Sequence, residues 1–170
     1  MNIFTTIIDK SEKLAAIGSI VTFSIMTLMG ILQVLFRYVL DSSLYFSEEL
    51  ARFMFVWSVF LASAVCFRKK SHAAIELFVS WMPEKVRSMV LVIASLCSLS
   101  FFALIIVKGI EITQVTQGQV STALEVPMSY VYAAIPVGGL LMFLYTIEEL
   151  ITQVVNSKKK PEVQGEVHQC

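Results

Sequence analysis

The sequence predicts an all-α integral membrane protein with four transmembrane helices and a short in-plane amphipathic helix on the cytoplasmic side. The chain is 56% hydrophobic and only 15% charged, whereas about 25% of the residues of a soluble domain are charged. Its mean hydropathy is +0.76. The charges lie almost entirely between four long apolar segments, and an apolar segment crosses a bilayer as a helix because lipid cannot satisfy free backbone groups.

Three of the four segments are long enough to span without help. The charge-free runs 14–36, 88–107 and 126–147 hold 23, 20 and 22 residues, and about 20 helical residues cross the hydrocarbon core. The second run, 53–67, holds only 15, so its helix must begin near Tyr45. We predict spans at about 14–36, 46–67, 86–108 and 127–150 in a membrane domain of residues 1–156, with a polar cytoplasmic tail at 157–170.

The segment 71–82 is too short to span, but its apolar residues recur at helical spacing. These residues are Ile75, Phe78, Val79 and Met82. Three basic residues come just before the segment: Arg68, Lys69 and Lys70. We predict a helix lying in the cytoplasmic interface, with this triplet near anionic phospholipid headgroups. The alternative is a short loop helix packed on its neighbours.

The last two spans carry signals for their ends and bends. The apolar pattern of the third continues from near Glu84 to Val115, and Gly118 is a suitable stop. The fourth is expected to hold Pro127 in its first turn and to kink at Pro136, because the proline ring removes a backbone hydrogen bond. The glycine pair 138–139 would allow a neighbouring helix to approach closely.

The distribution of lysine and arginine predicts the orientation. Three of the thirteen, Arg37, Arg52 and Lys108, lie on one side of the predicted spans, and the other ten lie on the side that holds both termini. Because basic residues favour the cytoplasmic side, both termini are expected in the cytoplasm. The connections 37–48 and 109–125 then face outward.

A polar cluster gathers at the outward connection between the first two spans. Its members are Arg37, Tyr38, Glu48, Glu49, Arg52 and Trp57. Glu48 and Arg52 are four residues apart and meet on one helix face. Two compatible interpretations follow: a local ion pair at the start of an interfacial helix, or a surface that binds a partner subunit. A catalytic carboxylate pair is excluded, because adjacent helical residues point about 100° apart.

No other chemistry is indicated. The only histidines, His72 and His168, do not provide a metal-ligand set, and we expect no metal, cofactor or catalytic residue. A net charge of zero without a basic face does not favour nucleic-acid binding. No span carries a charge near its middle, as a self-sufficient ion-coupled carrier usually would.

An ordered set of motifs resembles a known family over about residues 10–152. The set comprises Arg37-Tyr38 closing the first span, Glu48-Glu49-Leu50-Ala51-Arg52 opening the second with Trp57 shortly after, His72 in the basic connection, and the stretch Pro127 to Gly138. It is similar to the DctQ-type small membrane subunit of tripartite ATP-independent periplasmic (TRAP) transporters.

The resemblance implies a multi-pass protein of the bacterial inner membrane that is not an enzyme. Its partners would be a large membrane subunit of the DctM type, a periplasmic substrate-binding protein of the DctP type, and membrane lipid. The subunit would brace the large one and help the binding protein to dock during sodium-coupled uptake of an organic acid. Sialic acid and a C4-dicarboxylate are both allowed.

Other classes of membrane protein fit less well. A self-contained small multidrug-type exporter needs an acidic residue in the first span, and 14–36 has none. A membrane thiol oxidoreductase needs paired cysteines on the outward side, where this sequence has none. A structural four-span protein usually has larger outward loops.

Overall fold

The computed structural model describes the backbone of residues 2–41, 45–79 and 84–159, and the side chains of 5–41, 45–69, 86 and 89–152. The described backbone is almost entirely helical. Its elements are α1 (Asn2–Val39), α2 (Tyr45–Val79), α3 (Glu84–Val115), a 3-10 turn (Thr116–Gly118), α4 (Ser129–Tyr132) and α5 (Ala134–Lys159). Four stretches are long and apolar enough to cross a membrane: Thr5–Val39, Tyr45–Lys69, Met89–Gly118 and Ser129–Thr152. The all-α, four-span prediction is confirmed.

Helix α2 differs from the expectation at its second half. Residues 71–79 are helical, but they continue α2 without a break instead of starting a separate helix. The reason is local: the sequence from 68 to 79 holds no glycine or proline, and its basic and alanine residues favour helix. Residues 80–82 of the expected in-plane helix lie outside the described residues, and its position in the interface stays a prediction. At 35 residues, α2 is about 52 Å long.

The third helix ends as the sequence predicts, whereas the fourth begins differently. Helix α3 continues to Val115 and is followed by the 3-10 turn that closes at Gly118. Pro127 is not in a helical first turn, because it pairs with Val120 in an isolated antiparallel bridge, and α4 starts at Ser129. A turn at Ala133 separates α4 from α5, as expected from the steric effect of Pro136 on the preceding turn.

The four long helices lie in an open row, in the order α1, α2, α5, α3. Helix α1 packs mainly on α2, α3 packs mainly on α5, and α2 and α5 contact each other in the middle. The central position of α5 agrees with the burial of the spans: in the stretch Ser129–Thr152, which holds α4 and most of α5, 39% of an apolar 18-residue segment is buried, against 6% for the stretch Thr5–Val39 of α1. Helices α1 and α3 therefore form the two edges of the row.

Two adjacent glycines let α5 fit between its neighbours. A Cβ atom on Gly138 would lie 2.8 Å from the Cβ of Phe60 on α2, and one on Gly139 would lie 3.0 Å from Cγ2 of Ile105 on α3. The expected close approach at this glycine pair is confirmed. Contact through small residues matters here because lipid tails are as apolar as the helices, so packing must hold the helices together.

Many hydroxyl groups inside the spans donate to carbonyl oxygens of their own helices. Thr22 donates to the carbonyl of Gly18 at 2.8 Å, and Ser24 donates to that of Ile20 at 2.8 Å. Such bonds remove the need for a partner in lipid. The outer faces of α1 and α3 are consequently apolar and exposed, with Ile31 and Leu104 as examples.

Candidate functional site

Charged side chains gather at the two ends of the helix row. We call them the loop end, where α1 stops, α2 begins and the connection 116–128 lies, and the terminal end, where α1 begins and the spans of α2 and α5 finish. At each end, side chains of α2 contact residues that are more than 50 positions away along the chain. The two ends hold all of the proposed site residues whose side chains are described.

At the loop end, Glu48 and Arg52 form the expected ion pair. Arg52 Nη2 lies 3.1 Å from Glu48 Oε1, and the two side chains are 70% and 60% exposed, respectively. An exposed pair of this spacing stabilises a helix by about 0.3–0.5 kcal/mol, so it contributes little to the fold. Its exposure leaves both charges accessible to another molecule.

Glu49, the next residue, has a different role. Its Oε2 accepts hydrogen bonds from the backbone N–H groups of Ala123 and Leu124, at 2.8 and 2.9 Å. These bonds fasten the first turn of α2 to the segment 119–128, which we call the outer loop. Sequence reasoning missed the contact because its partners are 74 and 75 residues away and are backbone groups, which no side-chain pattern reveals.

Trp57 makes a second link between α2 and the region after the outer loop. Its Nε1–H donates to the carbonyl oxygen of Tyr130 in α4 at 3.1 Å. A buried or half-buried indole usually needs such an acceptor, and here the acceptor belongs to another helix. Trp57 therefore positions α4, while the ring of Tyr130 itself stays exposed.

Arg37 and Tyr38 lie at the end of α1, and both are exposed. Among the residues that the structure describes, neither has a hydrogen bond or ion pair with Glu48, Arg52 or the other members of the predicted cluster. The structure thus divides the six residues into two that hold the protein together, Glu49 and Trp57, and four that remain open to a partner.

The outer loop is compact and contains one unusual residue. Its ends are joined by backbone hydrogen bonds, Ser121 N–H to Val126 O at 3.0 Å and Met128 N–H to Gln119 O at 2.9 Å. At its tip, Glu125 has φ 52°, the left-handed region that non-glycine residues seldom adopt. The Glu125 side chain is exposed.

At the terminal end, Arg68 is surrounded by carboxylates from two other helices. Its guanidinium contacts Glu12, lies 2.5 Å from Asp9 and lies 3.2 Å from Glu148. The Arg68 side chain is only 17% exposed. This placement differs from the expected headgroup contact, because the Arg68 guanidinium is paired with carboxylates of α1 and α5. No local sequence pattern indicates that these three helices bring their charges together.

Two further contacts complete this Arg68 cluster. The guanidinium carbon lies 5.5 Å from the centre of the Tyr145 ring, a distance at which a cation–π attraction acts. Lys69 lies 3.7 Å from Glu12 but is 64% exposed, so it can still meet a lipid headgroup. The side chain of Lys70 lies outside the described residues.

The Arg68 cluster also caps the most buried part of the molecule. Ile8, Ala64, Phe102, Met142 and Tyr145 form an apolar core drawn from all four long helices. Beside it, the ring of Phe67 meets that of Phe102 edge to face, with centroids 5.0 Å apart. In the described part of the chain, no group of three histidine, cysteine, aspartate or glutamate side chains is placed to hold a metal ion.

Comparison with known proteins identifies related chains. The family described as "Tripartite ATP-independent periplasmic transporters, DctQ component" matches residues 26–156. A putative TRAP transporter small permease protein of Haemophilus influenzae is 25% identical over 154 residues, which cover 90% of this chain and 91% of that one. The sialic acid TRAP transporter small permease protein SiaQ of Vibrio cholerae is 28% identical over 114 residues, covering 67% and 66%. The sialic acid TRAP transporter permease protein SiaT of Haemophilus influenzae is 32% identical over 133 residues, covering 77% of this chain and 21% of SiaT.

Proposed function

Since this chain belongs to the DctQ family and is the small permease component of a TRAP transporter, we propose that it braces a large permease subunit and helps a periplasmic substrate-binding protein to dock. It is a multi-pass membrane protein and a transporter component, not an enzyme. A self-contained multidrug-type exporter does not agree with this family.

The bracing role is supported chiefly by the open row of helices. Helices α1 and α3 each pack mainly on one long helix, α2 and α5 respectively, and expose apolar side chains elsewhere. Such edges suit packing against another membrane protein, where close helix contact drives association. The match to SiaT supports the same role, because it occupies only 21% of a longer permease, as expected if a small and a large subunit were joined in one chain.

Co-purification from native membrane tests the bracing role. The chain is tagged and extracted gently, and we expect a stoichiometric, much larger polytopic protein to accompany it. To find the interface, a photoactivated crosslinker is attached to a single cysteine after the other cysteines have been replaced by serine. The labelled position is either the native Cys97, exposed on α3, or Ile31→Cys, exposed on α1. A chain that purifies alone, gives no adduct from either edge and transports by itself in liposomes would overturn the proposal.

The docking role is assigned to the loop end. The excess of lysine and arginine at the terminal end supports a periplasmic loop end in the bacterial inner membrane and cytoplasmic termini. Arg37, Tyr38, Glu48 and Arg52 would then present an exposed polar surface to the binding protein or to the outer part of the large subunit.

An Arg52→Glu variant tests this surface. We expect weaker assembly or slower tracer uptake, because the variant places two like charges where a partner met a mixed pair. The control is the exchanged double variant Glu48→Arg with Arg52→Glu, which restores the local ion pair in reverse. If the single variant assembles and transports as the wild type does, the surface has no such role. If the single variant loses assembly or uptake and the double variant regains it, the local ion pair matters and the contact with a partner does not.

The lipid contact is proposed for Lys69 and Lys70. Lys69 is exposed at the terminal end, where the cytoplasmic headgroups would lie, and a lysine near an anionic surface contributes about 1 kcal/mol. The double variant Lys69→Gln with Lys70→Gln should retain less anionic phospholipid in native mass spectrometry. Lys108→Gln, an exposed lysine at the opposite end, is the control. Equal lipid retention in the wild type, the double variant and Lys108→Gln would show that Lys69 and Lys70 do not bind the lipid.

The transported substrate is proposed as an organic acid taken up with sodium. SiaQ and SiaT are named for sialic acid, and a C4-dicarboxylate is equally allowed. The spans of this chain carry no charge near their middle, which favours a sodium site on the large subunit. Tracer uptake of both acids, with and without a sodium gradient, decides the substrate and the coupling.

A further inference from the structure

We propose that the exposed carboxylate of Glu125, at the tip of the outer loop, is the docking point that recognises a basic patch on the soluble substrate-binding protein. The inference rests on the docking role proposed above and adds its location and its chemistry. It is carried by three observations: the way the loop is held, the conformation of Glu125, and the balance of charge around it.

The outer loop is fixed from two sides. From outside the loop, the carboxylate of Glu49 accepts two of its backbone N–H groups. From within, the bridge between Val120 and Pro127 closes its ends, and Ser121 is buried. A loop held in this way loses little conformational entropy when a partner binds, so its contacts convert more fully into affinity.

Glu125 itself has a conformation that glycine or asparagine would adopt more easily. A non-glycine residue in the left-handed region costs about 1 kcal/mol or more, and such residues persist only where their surroundings hold them in place. Here the hydrogen bonds of Glu49 reach Leu124, the residue directly before Glu125. Among the described residues, no basic side chain forms an ion pair with Glu125, so its charge remains available.

The charge around the tip favours a basic partner. The loop end and the last turns of α3 together hold three basic residues, Arg37, Arg52 and Lys108, and five acidic residues, Asp41, Glu48, Glu49, Glu111 and Glu125, which gives a net charge of −2. Arg52 and Lys108 are paired with Glu48 and Glu111, and Glu49 is engaged by the loop. Glu125 is the acid of the outer loop that can meet another molecule.

The position of the tip favours a soluble partner over lipid. The charge-free part of the third span ends at Val107, and the chain continues through Gly118 before the outer loop begins. The eight α-helical residues 108–115 alone rise about 12 Å, so the outer loop lies well past the end of the charge-free stretch, which supports a position outside the apolar part of the span. Val120 and Tyr130 are exposed near the tip and provide the apolar area that protein interfaces use around their charges.

The test uses the complete transporter, in which the chain and its large subunit are purified together and placed in lipid nanodiscs. Binding of the substrate-binding protein is measured at low and at physiological salt. The central variant is Glu125→Asn, which removes the charge but suits the left-handed backbone. Glu125→Asp keeps the charge, and aspartate tolerates the left-handed backbone conformation. Asp41→Asn is the matched control, because Asp41 is exposed, has φ 51° and lies outside the outer loop.

We expect Glu125→Asn to weaken binding about two- to fivefold, the effect of losing one exposed ion pair. The salt dependence of binding should also decrease, because a charge at an interface rim acts mainly on the association rate. Glu125→Asp and Asp41→Asn should bind like the wild type. Glu49→Ala should also weaken binding, although it retains Glu125, because it removes the oxygen that accepts the two N–H groups of the loop.

The possible failures are distinguishable. If the wild-type complex does not bind the substrate-binding protein at all, the proposed docking role fails. If the wild type binds and Glu125→Asn binds with the same affinity and salt dependence, the role of the tip fails while the docking role stands. If Glu125→Asn instead separates the two membrane subunits, the tip contacts the large subunit and the inference is overturned. If Asp41→Asn weakens binding equally, the overall negative charge of the loop end attracts the partner, and the specific contact at Glu125 is refuted.

Discussion

The contacts of Arg68 predict that an Arg68→Ala variant is much less stable than the wild type. Glu12 and Glu148 are only 21% and 19% exposed, and each loses a charge-assisted hydrogen bond worth about 1.5–3 kcal/mol. The pair with Asp9, which is 60% exposed, contributes at most about 1 kcal/mol. Removing one partner also leaves uncompensated carboxylates close together, which costs about 3–5 kcal/mol for a fully buried pair. Because this cluster is partly open, we expect a loss of about 3 kcal/mol.

The assay is reversible unfolding of the purified chain in mixed micelles, with increasing fractions of a denaturing detergent, followed by far-ultraviolet circular dichroism. Arg52→Ala is the matched control, since it also removes an arginine from a carboxylate pair but at an exposed site, and it should cost about 0.5 kcal/mol or less. Added salt should reduce the effect of Arg52→Ala more than that of Arg68→Ala, because enclosed charges are less screened. Equal losses for the two variants would refute the structural role of the Arg68 cluster.

Two further predictions use matched pairs of positions. Gly138→Ala should destabilise the protein by about 1–3 kcal/mol, because the new methyl group would meet the Cβ of Phe60 at 2.8 Å. Gly30→Ala, where a Cβ meets nothing within 4 Å, should be neutral or up to about 1 kcal/mol stabilising; the same unfolding assay reads both, and a Gly138→Ala protein as stable as Gly30→Ala would contradict the packing. Glu49→Ala, which removes the acceptor oxygen, should increase hydrogen exchange of the amides at 123 and 124, whereas Glu48→Ala should not. Unchanged exchange in Glu49→Ala would show that the Glu49 carboxylate does not hold the outer loop.

The features that sequence predicts well are those encoded by neighbouring residues. Three of the four spans follow from the charge-free runs, and the second follows from a short run extended back to Tyr45. The end of α3 follows from Gly118, and the pair Glu48–Arg52 from its spacing of four. The break before α5 follows from Pro136, because its ring acts on the turn directly before it. Each of these rests on local geometry that does not depend on the rest of the fold.

The contacts that sequence does not predict join residues far apart along the chain. Glu49 was grouped with its helical neighbours, but its oxygen binds backbone N–H groups of the outer loop. Arg68 belongs to a basic triplet typical of a headgroup site, yet its partners lie 56 to 80 positions away. Pro127 has the position of a helix start, but pairing with Val120 places it in a loop. In each case a tertiary partner decides which of two locally reasonable structures forms.

The order of the helices in the row bears on how the chain is assembled while it is being made. Helices α1 and α2 are consecutive and can pair as soon as both have left the ribosome. Helix α3 is made next, but its main neighbour is α5, which is still to be synthesised. Within this chain α3 therefore has no main neighbour until α5 is inserted, and its charge-free stretch allows it to remain in the bilayer until then. The arrival of α5 then joins α3 to the waiting hairpin of α1 and α2, so the last span to be inserted completes the fold.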